Sequence, residues 1–207
     1  MLTQTFAAFL VTATLLTMVP GLDTAMVLRS ATADGPRAGM GTSFGIAIGC
    51  LCWGATAAFG LAALLDAWPL AFELLRWCGA AYLGWLGVRF LLHPRAALAA
   101  DGEDKGAGTI AGAIRRGFTT NILNPKVGAF YLTLLPQFVP VGAAGPGHAL
   151  LLAAMHGTIV MIWFSGLAAL TGGIRPWIRR PGVVPALDRV TGGILVLLGI
   201  QLVGFHP

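Results

Sequence analysis

Charged residues are scarce in this sequence. Asp, Glu, Lys and Arg make up 10% of its 207 residues, whereas hydrophobic residues make up 57%. A soluble domain usually carries about 25% charged residues, so the charges here are too few to cover a soluble surface of this size. Glycine and proline are frequent, but they lie inside apolar runs rather than in polar linkers, which argues against disorder. The composition predicts an integral membrane protein.

Residues that commonly support metal or nucleophile chemistry are also few. Cys50, Cys52 and Cys78 lie in apolar segments and form no CxxC motif, so they predict buried thiols rather than a disulfide framework or a metal cluster. His148 and His156 are poorly spaced for one metal ion on a helix. No P-loop, nucleophile–base constellation or metalloprotease motif is present. We therefore expect no cofactor, no metal, no enzymatic activity and no ATP-driven pumping by this chain alone.

Long apolar runs fill most of the chain. A spanning helix needs about 20 mostly apolar residues, and six stretches are candidates: residues 3–28, 41–64, 70–92, 119–139, 148–171 and 190–206. The first has no basic region before it and no convincing cleavage site after it, so we expect an uncleaved span rather than a signal peptide. It is interrupted at Pro20-Gly21, and a five-span arrangement with a re-entrant first segment is the main alternative to six spans.

The basic residues alternate from loop to loop. The loops after the first, third and fifth spans contain all but two of the 13 Lys and Arg residues, namely Arg29, Arg37, Arg89, Arg95, Lys105, Arg115, Arg116, Arg175, Arg179, Arg180 and Arg189. Positively charged loops stay in the cytoplasm, which predicts that both termini lie outside. The net charge of +5 then needs no nucleic acid as a partner, and indicates attraction to anionic lipid headgroups instead.

Short sequence words recur in the same order in the two halves of the chain. The matched words are MVPGLDTAM and LNPKVGAF, GLAALL and GLAALT, RWCGAA and DRVTGGI, and LGVRF and LGIQL. Each half would contain three spans, an odd number, so the second would enter the membrane from the opposite side. The predicted fold is all-α, with six transmembrane helices in two inverted three-helix repeats. A single domain, residues 1–207, would comprise repeats at about 1–92 and 114–207 and a cytoplasmic linker at about 93–113.

The first and fourth predicted spans each contain a proline, Pro20 and Pro125. Proline lacks an N–H and clashes with the preceding turn, so carbonyls near Val19 and Asn121 lose their helical partners. Unpaired polar groups are costly in hydrocarbon, so such backbone has to face protein or a water-filled cavity. A new helix segment begins after each proline, and the N–H groups of its first turn favour anions. Helices 1 and 4 are therefore predicted to be broken, with acceptors for a cation and donors for a carboxylate at each break.

Two charged residues stand at these breaks, Asp23 after Pro20 and Lys126 directly after Pro125. Each would cost about 2.5–3.5 kcal/mol at the centre of a span, and an ionisable residue inside a span is by default a candidate functional residue. Asp23 has a local alternative, because it complements the dipole of the helix that it begins, with Thr24 as further polar support. Lys126 opposes the dipole of its own helix. It could reach the headgroups, pair with Asp23 or bind an anionic group of a substrate.

Small and polar residues accompany both breaks. Asn124 precedes Pro125 and is expected to cap the following helix, a role that also allows it to face a substrate. Gly21 and Asn121 belong to stripes of small and polar residues with helical spacing, which suit two helices that line one path. A GxxxGxxxG ridge at residues 41–49 predicts close packing of a neighbouring helix. Such ridges would also allow a homodimer.

Four segments together resemble one family of transporters. PGLDTAMVLRSATADGPRAGMGTSFGIAIG (20–49) and NILNPKVGAFYLTLLPQFV (121–139) are similar to the two signature motifs of the lysine-exporter / homoserine–threonine-exporter (LysE/RhtB) family. CGAAYLGWLGVRFLL (78–92) and TGGILVLLGIQLV (191–203) resemble its third motif and its closing span. The similarity covers essentially the whole chain in the right order. Leu22 stands where a proline is common in the family, so we expect a gentler break in span 1.

The resemblance implies a multi-pass exporter of amino acids or close derivatives in the bacterial inner membrane, with periplasmic termini and with export coupled to the proton gradient by antiport. The predicted substrate-binding residues are Pro20, Gly21, Asp23, Thr24, Asn121, Asn124, Pro125 and Lys126. An amino acid is a zwitterion. We expect Lys126 and helix N–H groups to bind its carboxylate, and Asp23 with the freed carbonyls near Val19 to bind its ammonium group.

Two other classes of the same superfamily are alternatives. A membrane thiol-electron carrier would need a cysteine beside each matched proline, and the sequence has none there. A divalent-metal exporter would need clustered His or carboxylate residues in its spans or a His-rich loop, and we keep it as the weaker alternative. The expected partners are a small zwitterionic substrate, protons as the coupling ion, the lipid bilayer and a possible second copy of the chain. No nucleic acid is expected.

Overall fold

The computed structural model describes residues 2–61, 70–94, 108–139, 145–173 and 180–204, and the regular secondary structure in these ranges is helical. In chain order the α-helices are α1 (Leu2–Met18), α2 (Leu22–Ala33), α3 (Pro36–Ala55), α4 (Leu70–Leu92), α5 (Ile110–Ile122), α6 (Pro125–Ala129), α7 (Gly145–Ala169) and α8 (Val183–Gly204). A π-helix, Thr56–Leu61, continues α3. A second π-helix, Phe130–Leu134, and a 3₁₀-helix, Leu135–Phe138, continue α6.

Several helices are long and apolar enough to cross a membrane. Within the described ranges these are Pro36–Gly60, Gly145–Ala169 and Val183–Gly204, and the bent pair formed by α1 and α2 adds a fourth if it counts as one span. The shorter helix Trp77–Leu92 is also apolar. Helix α4 has the bounds predicted for the third span, whereas most of the predicted linker and the loop between spans 4 and 5 lie outside the described residues.

The first span bends at its proline. Helices α1 and α2 meet at an angle of 55°, because Pro20 interrupts the helical hydrogen bonds. Helix α2 starts again at once, since the Ala25 N–H donates to the Gly21 carbonyl at 3.0 Å. The Gly21 N–H donates to the Thr24 hydroxyl at 3.3 Å, so the polar support expected from Thr24 is a local cap of α2.

The segment predicted as the fourth span is interrupted at its proline as well. Helix α5 ends at Ile122 and α6 begins at Pro125. Asn124 caps α6, because its Oδ1 accepts a hydrogen bond of 3.1 Å from the Lys126 N–H. The capping role predicted for Asn124 is therefore confirmed, with Pro125 at the first helical position as such a start favours.

Helix α5 begins at Ile110, before the start predicted at residue 119 for the fourth span. Thr109 caps it by accepting a hydrogen bond of 3.1 Å from the Gly112 N–H. Arg115 and Arg116 interrupt the apolar run, which is why a hydropathy window does not include this turn, but arginine is a good helix former. Arg116 also forms an ion pair of 3.0 Å with Asp34 at the end of α2, on the side predicted to be cytoplasmic.

Glycines set the distance between α3 and α5. A Cβ built on Gly45 would overlap the Ile114 carbonyl, and one built on Gly117 would overlap the Thr42 carbonyl. Real Cβ atoms do not come so close, so these two backbones touch only because the side chains are missing. The close packing predicted for the 41–49 ridge is confirmed, and α5 is its partner.

Two further helix pairs complete the framework. Helix α3 also packs against α7, and α4 packs against α8. The α4–α8 contact is again close, since a Cβ on Gly87 would lie 2.6 Å from the Gly192 carbonyl oxygen. The helices on either side of the first break pack against this framework, α1 against α7 and α2 against α3, α5 and α7. The first break therefore lies beside α3 and α7.

Candidate functional site

The two helix breaks are in direct contact through one lysine. The Lys126 ammonium group donates hydrogen bonds to the main-chain carbonyls of Leu16 (3.1 Å) and Val19 (3.0 Å). The side chain is only 8% exposed. A Cβ built on Gly21 would lie 3.3 Å from the same ammonium nitrogen, so the glycine at this break leaves room for the cation. The Lys126 ammonium group of the second break thus pairs the carbonyls that are left without a helical donor at the first break.

Proline chemistry explains why the lysine binds there. In a continuous helix the N–H of residue 20 would donate to the Leu16 carbonyl, and Pro20 has no N–H to give. Lys126 supplies the missing donor. Its charge opposes the dipole of α6, which it begins, but it lies at the carboxyl end of α1, where a cation is favourable. The Val19 carbonyl, which we assigned from the sequence to a substrate ammonium group, is bound by Lys126 instead.

The second break is closed in a similar way. Pro125 cannot donate to the Asn121 carbonyl, which accepts the Asn124 N–H at 3.0 Å and the Trp53 indole N–H at 3.4 Å. Trp53 belongs to α3, on the first half of the chain. Each break therefore receives a donor from a side chain of the opposite half, which ties the two halves together at the level of the prolines.

Asp23 and Asn121 face each other across the two breaks. The Asn121 Nδ2 donates to the Asp23 Oδ2 at 3.1 Å and also lies 3.7 Å from the Cys50 sulfur. Both side chains are buried, Asp23 at 5% and Asn121 at 0% exposure. A carboxylate and an amide from sequence-distant segments are thus held together away from the membrane lipid, as a polar pair in an apolar chain requires.

Three polar atoms at this place have no hydrogen-bond partner. They are the Asp23 Oδ1, the Asn121 Oδ1 and the Asn124 Nδ2. Among the described residues, no other buried side-chain nitrogen or oxygen atom lacks a hydrogen-bond partner. Buried polar atoms are normally paired, and each one left unpaired costs about 1–3 kcal/mol. Two acceptors and one donor are thus concentrated at one point, where the Asn124 side chain also lies near enough to Asp23 to interact with it.

A small cavity lies between these groups. Its volume is about 10 Å³, enough for about one water molecule. Its polar wall is formed by Thr17, Asp23, Cys50, Asn121, Lys126 and His156, and its apolar wall by Leu16, Val127, Val160 and Phe164. A solute of several heavy atoms fits only when the surrounding helices move apart.

His156 is the site residue that sequence reasoning missed. It is 2% exposed, and its two ring nitrogens contact the Thr17 hydroxyl (Nε2, 3.1 Å) and the Tyr131 hydroxyl (Nδ1, 2.9 Å). From its spacing to His148, His156 is expected only not to be a metal ligand. The rule applied to Lys126, that an ionisable residue inside an apolar span is a functional candidate, would have identified it.

The residues predicted to bind substrate have different positions and roles in the structure. Asp23, Asn121 and Lys126 line the cavity, and Asn124 presents an unpaired amide nitrogen beside them. Pro20 and Pro125 make the breaks, Gly21 makes room for Lys126, and Thr24 is engaged in capping α2.

The cysteines are not all buried as predicted. Cys50 is buried, whereas Cys52 and Cys78 are exposed on the outer faces of α3 and α4. The sequence shows only that these segments are apolar, and an apolar segment in a membrane has a lipid face as well as a protein face. Among the described residues, no group of three His, Cys, Asp or Glu side chains is arranged to hold a metal ion.

The chain is similar to known membrane translocators over most of its length. The family model of the LysE type translocators matches residues 14–204. A homoserine/homoserine lactone efflux protein of Salmonella typhimurium is 31% identical over 196 residues, which cover 94% of each chain. A leucine efflux protein of Klebsiella pneumoniae is 32% identical over 171 residues, or 81% of this chain and 78% of that protein.

An uncharacterized membrane protein of Bacillus subtilis is 28% identical over 202 residues, which cover 94% of this chain and 96% of that protein. No solved structure matches the chain at a significant level. The family match includes both helix breaks, since it runs from residue 14 near the end of α1 to residue 204 at the end of α8. This multi-pass membrane protein therefore belongs to the LysE-type translocator family.

Proposed function

We propose that this protein exports an amino acid or a close derivative from the cytoplasm by proton antiport. The observation that carries the proposal is the group of three unpaired polar atoms at the meeting point of the two helix breaks, with acceptors and a donor side by side. The names of its relatives, efflux proteins for homoserine and for leucine, support the same class of solute.

The chemistry of the site suits a zwitterion. The Asp23 Oδ1 and the Asn121 Oδ1 are acceptors for an ammonium group, and the charge of Asp23 strengthens that hydrogen bond. The Asn124 Nδ2 is a donor for a carboxylate, and the nearby Lys126 ammonium group contributes positive charge. The apolar wall formed by Val160 and Phe164 leaves space for a side chain. One small molecule with both charges would satisfy all three unpaired atoms at once.

We further propose two inverted three-helix repeats as the framework for transport. In this arrangement α1–α2 corresponds to α5–α6, α3 to α7, and α4 to α8. The pairs α3–α7 and α4–α8 pack against each other, as counterparts around a pseudo-two-fold axis would. The reciprocal closure of the two breaks by Lys126 and Trp53 is a second feature that such symmetry accounts for.

The cavity is too small for an amino acid, so transport requires movement on each side of it. On one side, Phe9 of α1 packs against Phe138 (5.4 Å between ring centroids) and Phe130 (6.0 Å). On the other side, Asp34 pairs with Arg116. We expect the aromatic contact to open towards the periplasm and the ion pair to open towards the cytoplasm, in alternation.

A growth-rescue experiment tests the proposed function. Bacteria without their own amino-acid exporters would be challenged with single amino acids, homoserine and dipeptides, with and without this protein. We expect protection from at least one amino acid or homoserine, together with its accumulation in the medium. If no solute in the panel protects the cells, although the protein is present in the membrane, the proposal is wrong.

Asp23→Asn is expected to lower efflux of the rescued solute by about ten- to a hundredfold. The substitution keeps an oxygen for Asn121 but removes the charge that binds an ammonium group, and a hydrogen bond to a charged group contributes about 1.5–3 kcal/mol. Asp104→Asn is the matched control, because it makes the same chemical change in the predicted cytoplasmic linker, far in sequence from both breaks. Equal efflux rates for the two variants would contradict the role of Asp23.

The orientation of the chain is tested by reporter fusions. We expect a reporter that works only in the cytoplasm to be active when it is fused after residue 100. A reporter that works only in the periplasm should be active when it is fused after residue 143, because basic loops are retained inside. Both positions lie outside the described residues. The opposite pattern would overturn the proposed orientation with periplasmic termini.

A further inference from the structure

One buried titratable side chain in the cavity takes no part in the substrate contacts proposed above. His156 lies on α7, between Thr17 near the end of α1 and Tyr131 in the π-helix after α6. It therefore connects both broken helices at the depth of the prolines. Its ring also packs edge-on against Phe130, with 5.2 Å between centroids, so its position is held on several sides.

The hydrogen bonds determine which ring nitrogen carries the proton. The Thr17 hydroxyl has a single hydrogen, and it donates that hydrogen to the Ala13 carbonyl at 2.7 Å. Thr17 Oγ1 can then only accept from His156, so Nε2 is protonated. In a neutral imidazole Nδ1 carries a lone pair, which accepts the Tyr131 hydroxyl hydrogen.

The same network can hold a protonated ring after one small change. If Nδ1 receives a proton, it becomes a donor, and the Tyr131 oxygen accepts it once the hydroxyl hydrogen has turned away. The Nε2 contact with Thr17 is unaffected. Both protonation states of His156 thus have a partner on each ring nitrogen. Lys126, in contrast, already donates to the Leu16 and Val19 carbonyls and would leave both unpaired if it moved away.

We propose that His156 carries the proton that is exchanged for the exported solute, an inference that rests on the proposed antiport. When the cavity is open to the periplasm, a hydronium ion gives its proton to Nδ1 and leaves as water. When the cavity is open to the cytoplasm, Nδ1 returns the proton to water. No other bond forms or breaks, and Tyr131 only reorients its hydroxyl group.

The charges around the cavity explain how the proton would displace the solute. The titratable groups that face His156 are Asp23 from α2, Cys50 from α3, and Lys126 and Tyr131 from α6 and its continuation. An imidazolium adds a positive charge to a cavity that already contains Lys126. Like charges repel strongly where water is excluded, so a solute ammonium group at Asp23 is bound less well. Proton and solute then compete, as antiport requires.

The test uses the purified full-length protein in liposomes with radiolabelled L-leucine and L-homoserine as probes. Two activities are compared, namely exchange of the labelled solute at equal pH on both sides and accumulation driven by a pH gradient. We expect His156→Gln to lose gradient-driven accumulation by a factor at least ten times larger than any loss of exchange. His148→Gln is the matched control, on the same helix but stacked on Phe6, and it is expected to retain both activities.

Each outcome decides the question. If His156→Gln accumulates solute like the wild type, or loses exchange and accumulation by the same factor, His156 is not the proton carrier. If this variant does not fold, Tyr131→Phe replaces it, because the Tyr131 hydroxyl is hydrogen-bonded to Nδ1 in both protonation states. An unchanged pH profile of accumulation in Tyr131→Phe would overturn the proposal. If the wild type moves neither solute, nor any solute that protects cells in the growth-rescue panel, the proposed export function falls, and the role of His156 falls with it.

Discussion

Replacing Lys126 with methionine is expected to abolish export while the protein still inserts into the membrane. Methionine has a similar length but no charge, so the Leu16 and Val19 carbonyls lose their donor. Two hydrogen bonds to a charged group contribute about 1.5–3 kcal/mol each, and the cation beside the substrate site is lost with them. We expect efflux to fall by about a hundredfold or more, because 1.4 kcal/mol corresponds to a tenfold change.

The measurement is the rate of efflux of the rescued amino acid from loaded cells, normalised to the amount of protein in the membrane. Lys105→Met is the matched control, since Lys105 is the other lysine of the chain and lies in the predicted cytoplasmic linker. Lys126→Arg tests the geometry, because a planar guanidinium does not place its donors as an ammonium group does, and we expect partial activity. Wild-type efflux in the methionine variant would disprove the assigned role of Lys126.

The second large effect is expected on stability, from Gly45→Val. Even the first carbon of the new side chain would overlap the Ile114 carbonyl and lie 2.8 Å from the Phe118 nitrogen. Backbone cannot rotate away as a side chain can, so α3 and α5 must separate. Overpacking of this kind costs typically 1–3 kcal/mol and occasionally more. At about 3 kcal/mol the melting temperature of a chain of this size falls by roughly 6–12 °C.

Gly193→Val is the matched control for this prediction. It introduces the same β-branched residue into the middle of a helix, α8, but a Cβ at Gly193 has no other atom within 4 Å. The helix propensity change is therefore similar in the two variants, and only the overlap differs. Thermal unfolding of both proteins in the same detergent measures the difference. Equal melting temperatures would mean that the α3–α5 contact is not as close as described.

The two predictions are connected through the site. The α3–α5 contact continues to Gly49, where a Cβ would lie 2.5 Å from the Asn121 Oδ1. The glycine ridge therefore does more than hold two helices together. It brings α3 close enough for Trp53 to reach the Asn121 carbonyl and for Cys50 to lie against Asn121.

Much of the local structure was predictable from the sequence because its causes are local. Pro20 and Pro125 interrupt helices because each lacks its own N–H, and Asn124 caps α6 because its side chain reaches an amide two residues away. The bounds of α4 follow from an apolar run of the right length. In contrast, the start of α5 was missed, since charged residues end an apolar run without ending a helix.

The positions of the helix breaks, the polar residues at them and the family of the chain can all be read from the amino-acid sequence. The contacts of these residues depend on how the helices pack. Lys126 opposes its own helix dipole, and it becomes favourable through the carbonyls of α1, far away in the chain. His156 has no neighbour in sequence that reveals its role, and its partners come from two other segments. Hydrogen bonds within one turn depend only on neighbouring residues, so they can be predicted from the local sequence. Hydrogen bonds between segments form only once the helices have packed.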